Sequence, residues 1–138
     1  MSELTLGRWI RDRARTTPAG VAIDCGGEVT TYAELDARSD RLAAGLLEAG
    51  LAPGDRVATL TATSPEHVVV FFACAKAGLI LMPLNTRLAE PELRYQLEDA
   101  EPALLLRHEQ VRRRDAHHRR DPRLGDPLQG ARRVEGGF

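Results

Sequence analysis

Apolar residues recur along the first hundred positions in two rhythms, and the switches between them mark the predicted elements. Leu6, Trp9, Ile10 and Ala14 follow helical spacing, so residues 4–16 read as an amphipathic helix that Pro18 and Gly20 end. Val21 to Ile23 and Glu28 to Thr30 read as two short strands, with Gly26-Gly27 as the tight turn of a hairpin. Thr31-Tyr32-Ala33-Glu34 fits a capping box opening a helix, which carries Leu35, Leu42, Ala43, Leu46 and Leu47 and stops at Gly50. Pro53-Gly54-Asp55 is a turn that launches a strand from Arg56 to Thr61. Ser64 and Pro65 are a cap and first-turn proline for a helix running to Ala77. That helix is apolar almost all round, from Val68 to Ala75, and must be covered on most sides. Gly78 ends it. Leu79 to Met82 reads as a buried strand closed by Pro83, Glu90 to Asp99 as a helix with Leu93 and Leu97 inward, and Ala103 to Leu106 as a last strand.

From Arg56 the order is strand, helix, strand, helix, strand. Short continuous apolar strands alternating with helices predict an α/β fold: part of a doubly wound, mostly parallel sheet with flanking helices and an N-terminal β-hairpin.

The pattern breaks after Leu106. Residues 107–138 hold nine of the eighteen arginines and three of the four histidines, with few and aperiodic apolar positions. Such a stretch cannot bury enough surface to offset its ordering entropy, so disorder is expected. Two domains follow: residues 1–106 as a folded region and residues 107–138 as an Arg-rich tail. Arg112-Arg113-Arg114 and Arg119-Arg120 could grip phosphates, but acidic residues interleave them and no aromatic follows until Phe138, so no nucleic-acid partner is assigned. His108, His117 and His118 lack a carboxylate or cysteine at ligand spacing on a predicted element, so no metal is assigned. Eighteen arginines against one lysine suggest GC-rich coding DNA, and out-of-frame reading of such DNA yields this mixture of residues. Codon degeneracy lets residues 121–129, read one nucleotide later, encode a far more foldable string. A frameshifted or truncated end is therefore the expectation for the tail.

The totals narrow the function further. A net charge of −1 gives the molecule no general attraction to nucleic acid or acidic membranes. The apolar run Val68 to Ala75 is far shorter than the ~20 residues a membrane span takes. No basic segment followed by an apolar run opens the chain, and the expected compartment is the cytoplasm. Cys25 and Cys74 are far apart without CxxC spacing, which reads as two reduced, packed thiols rather than a disulfide framework or a zinc site.

Three segments carry a resemblance. They are Thr31-Tyr32-Ala33-Glu34-Leu35; Gly50-Leu51-Ala52-Pro53-Gly54-Asp55-Arg56-Val57-Ala58; and Ala73 to Leu88, whose Lys76-Ala77-Gly78 and Pro83-Leu84-Asn85-Thr86-Arg87-Leu88 are continued by Glu92-Leu93, Tyr95, Leu97 and Asp99. In this order and spacing, over about residues 4–106, the chain resembles the opening of the AMP-forming adenylating enzymes. These include acyl-CoA and aryl-CoA synthetases, adenylation domains of nonribosomal peptide synthetases, and luciferases. The Pro-Leu-Asn-Thr-Arg-Leu ending is more typical of acyl-CoA synthetases. The resemblance implies a two-step reaction: a carboxylate attacks the α-phosphate of Mg·ATP, and a thiol, usually that of coenzyme A, then displaces AMP. Such chemistry needs donors for the triphosphate and a cation for the developing charge. The family draws these from a Ser/Thr/Gly-rich phosphate loop with a lysine, a Tyr-Gly-x-Thr-Glu segment, a ribose-binding aspartate and a lysine in a C-terminal domain.

None of these motifs is in the sequence, so no catalytic, cofactor-binding or metal residue is assigned. ATP, Mg and coenzyme A are implied for the full-length family and not for this chain. Gly26-Gly27 leads into a strand rather than a helix, unlike a phosphate loop. Lys76 reads as the cation at a helix C-terminus, opposite the dipole. His67, in the first turn of an apolar helix, reads as a packed or solvated histidine. Asn85, Thr86 and Arg87 lie just past the C-terminal end of a predicted parallel strand, the side on which open α/β sheets bind ligands, and are the one substrate-facing candidate.

Three readings remain at this point. The chain is a truncated acyl-CoA synthetase-like protein, inactive alone; or a piece of a split ligase whose partner is the missing remainder of the enzyme; or a non-catalytic binding module. A small-molecule substrate is expected only in the full-length form. Severed from the rest, the sheet edges and the helix around Phe71 and Phe72 should lack neighbours, making the isolated chain marginal or prone to aggregate.

Overall fold

A computed structural model describes residues 5–107. In chain order these form α1 (Leu6–Thr16), β1 (Val21–Cys25), β2 (Glu28–Thr31), α2 (Tyr32–Glu48), β3 (Arg56–Leu60), α3 (Pro65–Ala77), β4 (Ile80–Pro83), α4 (Glu90–Ala100) and β5 (Leu104–Arg107). Every predicted element is present. The tail from His108 onward, with its expected disorder, its arginine clusters and His108, His117 and His118, lies outside the described residues.

The helix ends follow from side-chain oxygens that satisfy orphan amides. Thr5 Oγ1 accepts from the Arg8 amide at 3.2 Å, which starts α1 two residues later than periodicity suggested. The capping box of α2 is complete: Thr31 Oγ1 accepts from the Glu34 amide, and Glu34 Oε2 accepts from the Thr31 amide at 2.8 Å. The Thr31 amide, and after it the Thr31 hydroxyl at 3.0 Å, hold the Glu34 carboxyl below its ordinary value of 4.5. Ser64 caps α3, with Pro65 in its first turn. In α4 Glu92 reaches back to the Ala89 amide, but alanine has no oxygen to return the bond, so only half of a box forms.

The residues divide into two compact units. The first holds α1, the β1–β2 hairpin, α2 and α3. Gly26 and Gly27 both have positive φ, 63° and 91°, which a two-residue hairpin turn requires. Cys25 pairs with Glu28 across it. The core of this unit joins Ile10, Leu35, Val69 and Phe72, with Ala22, Ile23, Tyr32, Leu42 and Val68 packed around them. Gly78, left-handed at φ 71°, caps α3 while its carbonyl accepts from the Gly54 amide at 2.8 Å. A Cβ at Gly78 would stand 3.3 Å from Pro53 Cβ, a tight contact, and the left-handed φ there favours glycine.

The second unit is a three-stranded sheet in the order β4-β3-β5 with α4. Val57 pairs with Leu104 and Leu60 with Arg107 in a parallel register. Leu84 N donates to Thr59 O at 2.8 Å on the other side of β3. Parallel strands need long crossovers, which α3 and α4 supply along the chain. Ala58, Leu60, Leu84 and Leu105 form one face of the sheet's core, against which Met82, Leu93 and Leu97 pack. Val57, Thr59, Leu104 and Leu106, at the alternate positions, are buried too. Burial on both faces is why these strands read as unbroken apolar runs.

Three expectations need correction. β4, expected to be a buried strand, lies at one edge of the sheet and is exposed or half-buried along its length, Ile80 being 50% exposed. Cys25 is exposed beside the hairpin turn, because strand alternation and the turn carry its side chain out of the core; only Cys74 is packed, and burial pushes its thiol up to about 11. Phe72 keeps its neighbours and is buried, so of the two phenylalanines on α3 only Phe71 is left uncovered.

Candidate functional site

The strongest concentration of charge in the first unit is one that periodicity did not reveal. Asp36 and Asp40 stand four residues apart on α2 and therefore on one face of it. Lys76 of α3 enters between them: Nζ donates to Asp36 Oδ1, to Asp40 Oδ1 at 2.7 Å and to the Asp36 carbonyl at 3.0 Å. Arg11 of α1 adds a guanidinium 3.7 Å from Asp40. The lysine stem passes over Gly7, where a Cβ would meet Lys76 Cγ at 3.0 Å, so glycine makes room on α1 for this side chain. Lys76 does sit in the last turn of α3, as expected, but its ammonium is buried and links helices rather than facing water. All three of its protons are spoken for, so it is not free to bind a phosphate or stabilise a reacting anion.

Asn85, Thr86 and Arg87 lie where the sequence placed them, beyond the C-terminal end of β4. Asn85 Oδ1 accepts from the Arg87 amide at 2.9 Å and the Asn85 carbonyl from the Leu88 amide at 3.2 Å. These bonds shape a turn into α4 and commit the Asn85 oxygens to the backbone. His67 sits half-buried in the first turn of α3, its amide donating to Ser64 Oγ at 3.3 Å.

Two shallow depressions stand out among the described residues. A groove of about 410 Å³ between β2 and α2 is lined by Glu28, Val29, Thr30, Glu34, Arg38 and Arg41. Two of its charges are already engaged, Glu34 by the Thr31 cap and Arg38 by Glu66 at 3.7 Å. Its own backbone amide, and after it the Ser64 side chain and the Arg38 guanidinium, hold the Glu66 carboxyl below its ordinary value against the effect of burial. A second depression, about 420 Å³, lies on α4 beside Leu88, Pro91 and Tyr95. Neither brings together a nucleophile, a base and an oxyanion donor. Among the described residues no group of three or more His, Cys, Asp or Glu side chains is placed to hold a metal, and no helix is long and apolar enough to cross a membrane.

The adenylating family's nucleotide site can be tested against these residues. It requires a glycine-rich cradle and a free cation. The sequence has no such cradle, and the one lysine is consumed by Asp36 and Asp40.

What the chain does share is the architecture. It belongs to the family of AMP-binding enzymes, whose model matches residues 10–133. It is 46% identical over 101 residues to a feruloyl-CoA synthase of Amycolatopsis sp, a match covering 73% of this chain and 21% of that protein. It is 44% identical over 92 residues to the fatty acid–[acyl-carrier-protein] ligase ScoC of Streptomyces coeruleorubidus, covering 67% of this chain and 18% of the relative. Among solved structures, the N-terminal domain of FACL13 from Mycobacterium tuberculosis superposes with a TM-score of 0.78 at 31% identity, over 94% of this chain and 33% of that one. The chain thus spans about a fifth of the length of the curated relatives it matches.

Proposed function

We propose that this chain is the opening segment of an acid-activating ligase and is inactive by itself. The full-length activity is formation of an acyl-adenylate from a carboxylic acid and ATP, followed by transfer of the acyl group to a thiol such as that of coenzyme A. The observation that carries this reading is the family match on an α/β framework in which the one lysine of the sequence is held in a structural cluster. What the segment contributes is a scaffold. Its helices and parallel strands supply the first layer on which a longer AMP-binding chain builds.

The test is a single-chain fusion in which residues 1–106 replace the matched segment of the Amycolatopsis feruloyl-CoA synthase. Pyrophosphate release is measured with ferulate, ATP and coenzyme A. The expected result is an active fusion and no turnover from the 138-residue chain. A folded but inactive fusion, or turnover by the chain alone, would overturn the reading.

A further inference from the structure

We propose that the open edge of β2 binds an extended peptide segment, taken up as an added strand in the groove between β2 and α2. The proposal goes beyond the ligase reading and starts from the hairpin's own hydrogen bonds. Backbone groups along an antiparallel strand face its partner and its open edge in alternation. Tyr32 sets the phase, its amide donating at 3.0 Å to the carbonyl of Gly20, the residue that leads into β1. Thr31 points the other way and donates to Glu34 Oε2 on α2 at 2.8 Å. Val29, two residues before Thr31, has the same sense. It stands opposite Asp24, next to the Cys25–Glu28 pair that closes the turn. In a two-residue hairpin the closing pair is hydrogen-bonded and the next pair is not, so the Val29 amide and carbonyl face away from β1. Among the described residues neither group bonds to a side chain or a loop, and Val29 is 46% exposed.

The groove gives this edge a second wall. Three consecutive β2 residues, Glu28 to Thr30, line it. Side chains that alternate between two faces cannot do so alone, so the strand edge itself borders the groove. Ala37 and Arg41 of α2 lie on the helix wall. An open strand edge beside a helix can take up a peptide as a further strand, main-chain bonds giving affinity and flanking side chains giving specificity. Glu34, bonded to Thr31, closes the inner end, so the occupant pairs at Val29 and runs out past Glu28. Charge selects the occupant. Of the four ionisable side chains in the groove, Glu34 is held by the Thr31 cap and Arg38 by Glu66 at 3.7 Å. The side chains of Glu28 and Arg41 make no hydrogen bond or ion pair among the described residues. Glu28 on the strand wall favours a base in the paired segment, and Arg41 on the helix wall favours a carboxylate, which a guanidinium holds bidentately. The occupant is a short extended segment of another polypeptide that carries one basic and one acidic side chain.

The probe is a fluorescein-labelled peptide of valine and threonine carrying one lysine and one aspartate. Its binding to the 138-residue chain is followed by fluorescence anisotropy, and the feruloyl-CoA synthase fusion carries the same measurement should the short chain aggregate. Saturation with a Kd at or below about 100 μM is expected. A peptide N-methylated at the amide that pairs with Val29 should bind about tenfold more weakly. Arg41→Ala should weaken the aspartate peptide by about tenfold and leave its asparagine analogue unchanged. Val29→Pro removes the open donor without touching a bond to β1 and should abolish binding. Should that variant disturb the hairpin, the methylated peptide tests the same bond on the unaltered protein. No saturation up to about 1 mM, or equal binding of the methylated peptide, would overturn the proposal. Binding that disappears in an active fusion would overturn it too, since the edge would then belong to the ligase's own fold. Dimerisation of the chain that needs the Val29 amide and resists the peptide would assign the edge to a second copy, with the same consequence.

Discussion

Replacing Lys76 by methionine keeps the stem that lies over Gly7 and removes the ammonium that Asp36 and Asp40 share. Two limits bracket the loss. A lysine acting only as a cation in the last helical turn contributes about 0.3–1 kcal/mol. Breaking a fully buried ion pair costs about 3–5 kcal/mol, because the surviving charge is left desolvated and alone. Here the lysine side chain is 4% exposed, Asp36 17% and Asp40 48%. Asp40 rehydrates and keeps Arg11, while Asp36 has only partial access to water. The expected loss therefore lies between the limits, at about 2–3 kcal/mol. For roughly a hundred ordered residues this lowers Tm by about 10–20 °C. Urea unfolding, followed by the emission of Trp9, is a direct assay. Trp9 is the only tryptophan and stacks on Phe72, so its signal reports the packing of α1 on α3. Pairing Lys76→Met with Asp36→Leu should recover part of the loss, since no unpaired buried charge then remains. A single-variant loss below about 1 kcal/mol would refute the clamp and return Lys76 to a helix-end role.

Three further outcomes are expected. Thr59 is 1% exposed and its Oγ1 has no hydrogen-bond partner among the described residues, so Thr59→Val should leave stability unchanged or raise it by about 1 kcal/mol in the same urea assay. Gly78→Ala should cost about 1–2 kcal/mol, because a left-handed φ is strained for alanine and the new methyl presses on Pro53; an unchanged urea midpoint would contradict that. Glu34 has a lowered folded pKa, so its contribution is present above the unfolded value of 4.5 and is lost as pH falls through the lower folded value. Glu34→Gln should therefore flatten the acid limb of a Tm-against-pH curve, and an unchanged acid limb would remove the carboxylate from that role.

Much of the fold was legible because local rules and burial agreed. The Thr31/Glu34 box, the Ser64-Pro65 start, the paired glycines of the hairpin and Gly78 each act over a few residues, and each sits where the sequence places it. The two-sided apolar runs at Val57–Leu60 and Leu104–Leu106 announced a parallel sheet for the same reason. The candidate site was less legible. Asn85 could be placed beyond a strand end, but whether its side chain faced a ligand or closed a turn depended on backbone geometry two residues away. Lys76 reads from the sequence as a helix-end cation and no more, because its partners lie 36 and 40 positions earlier. The only trace of them was a pair of aspartates at helical spacing on α2.

Spacing and turn chemistry carried by neighbouring residues are enough to give the elements, the Thr31 and Ser64 caps, the α/β order and the family. Which apolar side chains are covered and which charges meet is set by how the helices pack. Helix packing brings Gly7, Asp36, Asp40 and Lys76 together and leaves Trp9 and Phe71 half open. Side-chain burial and ion pairing depend on how helix faces are turned towards one another, and pairs so distant along the chain leave no local pattern to read.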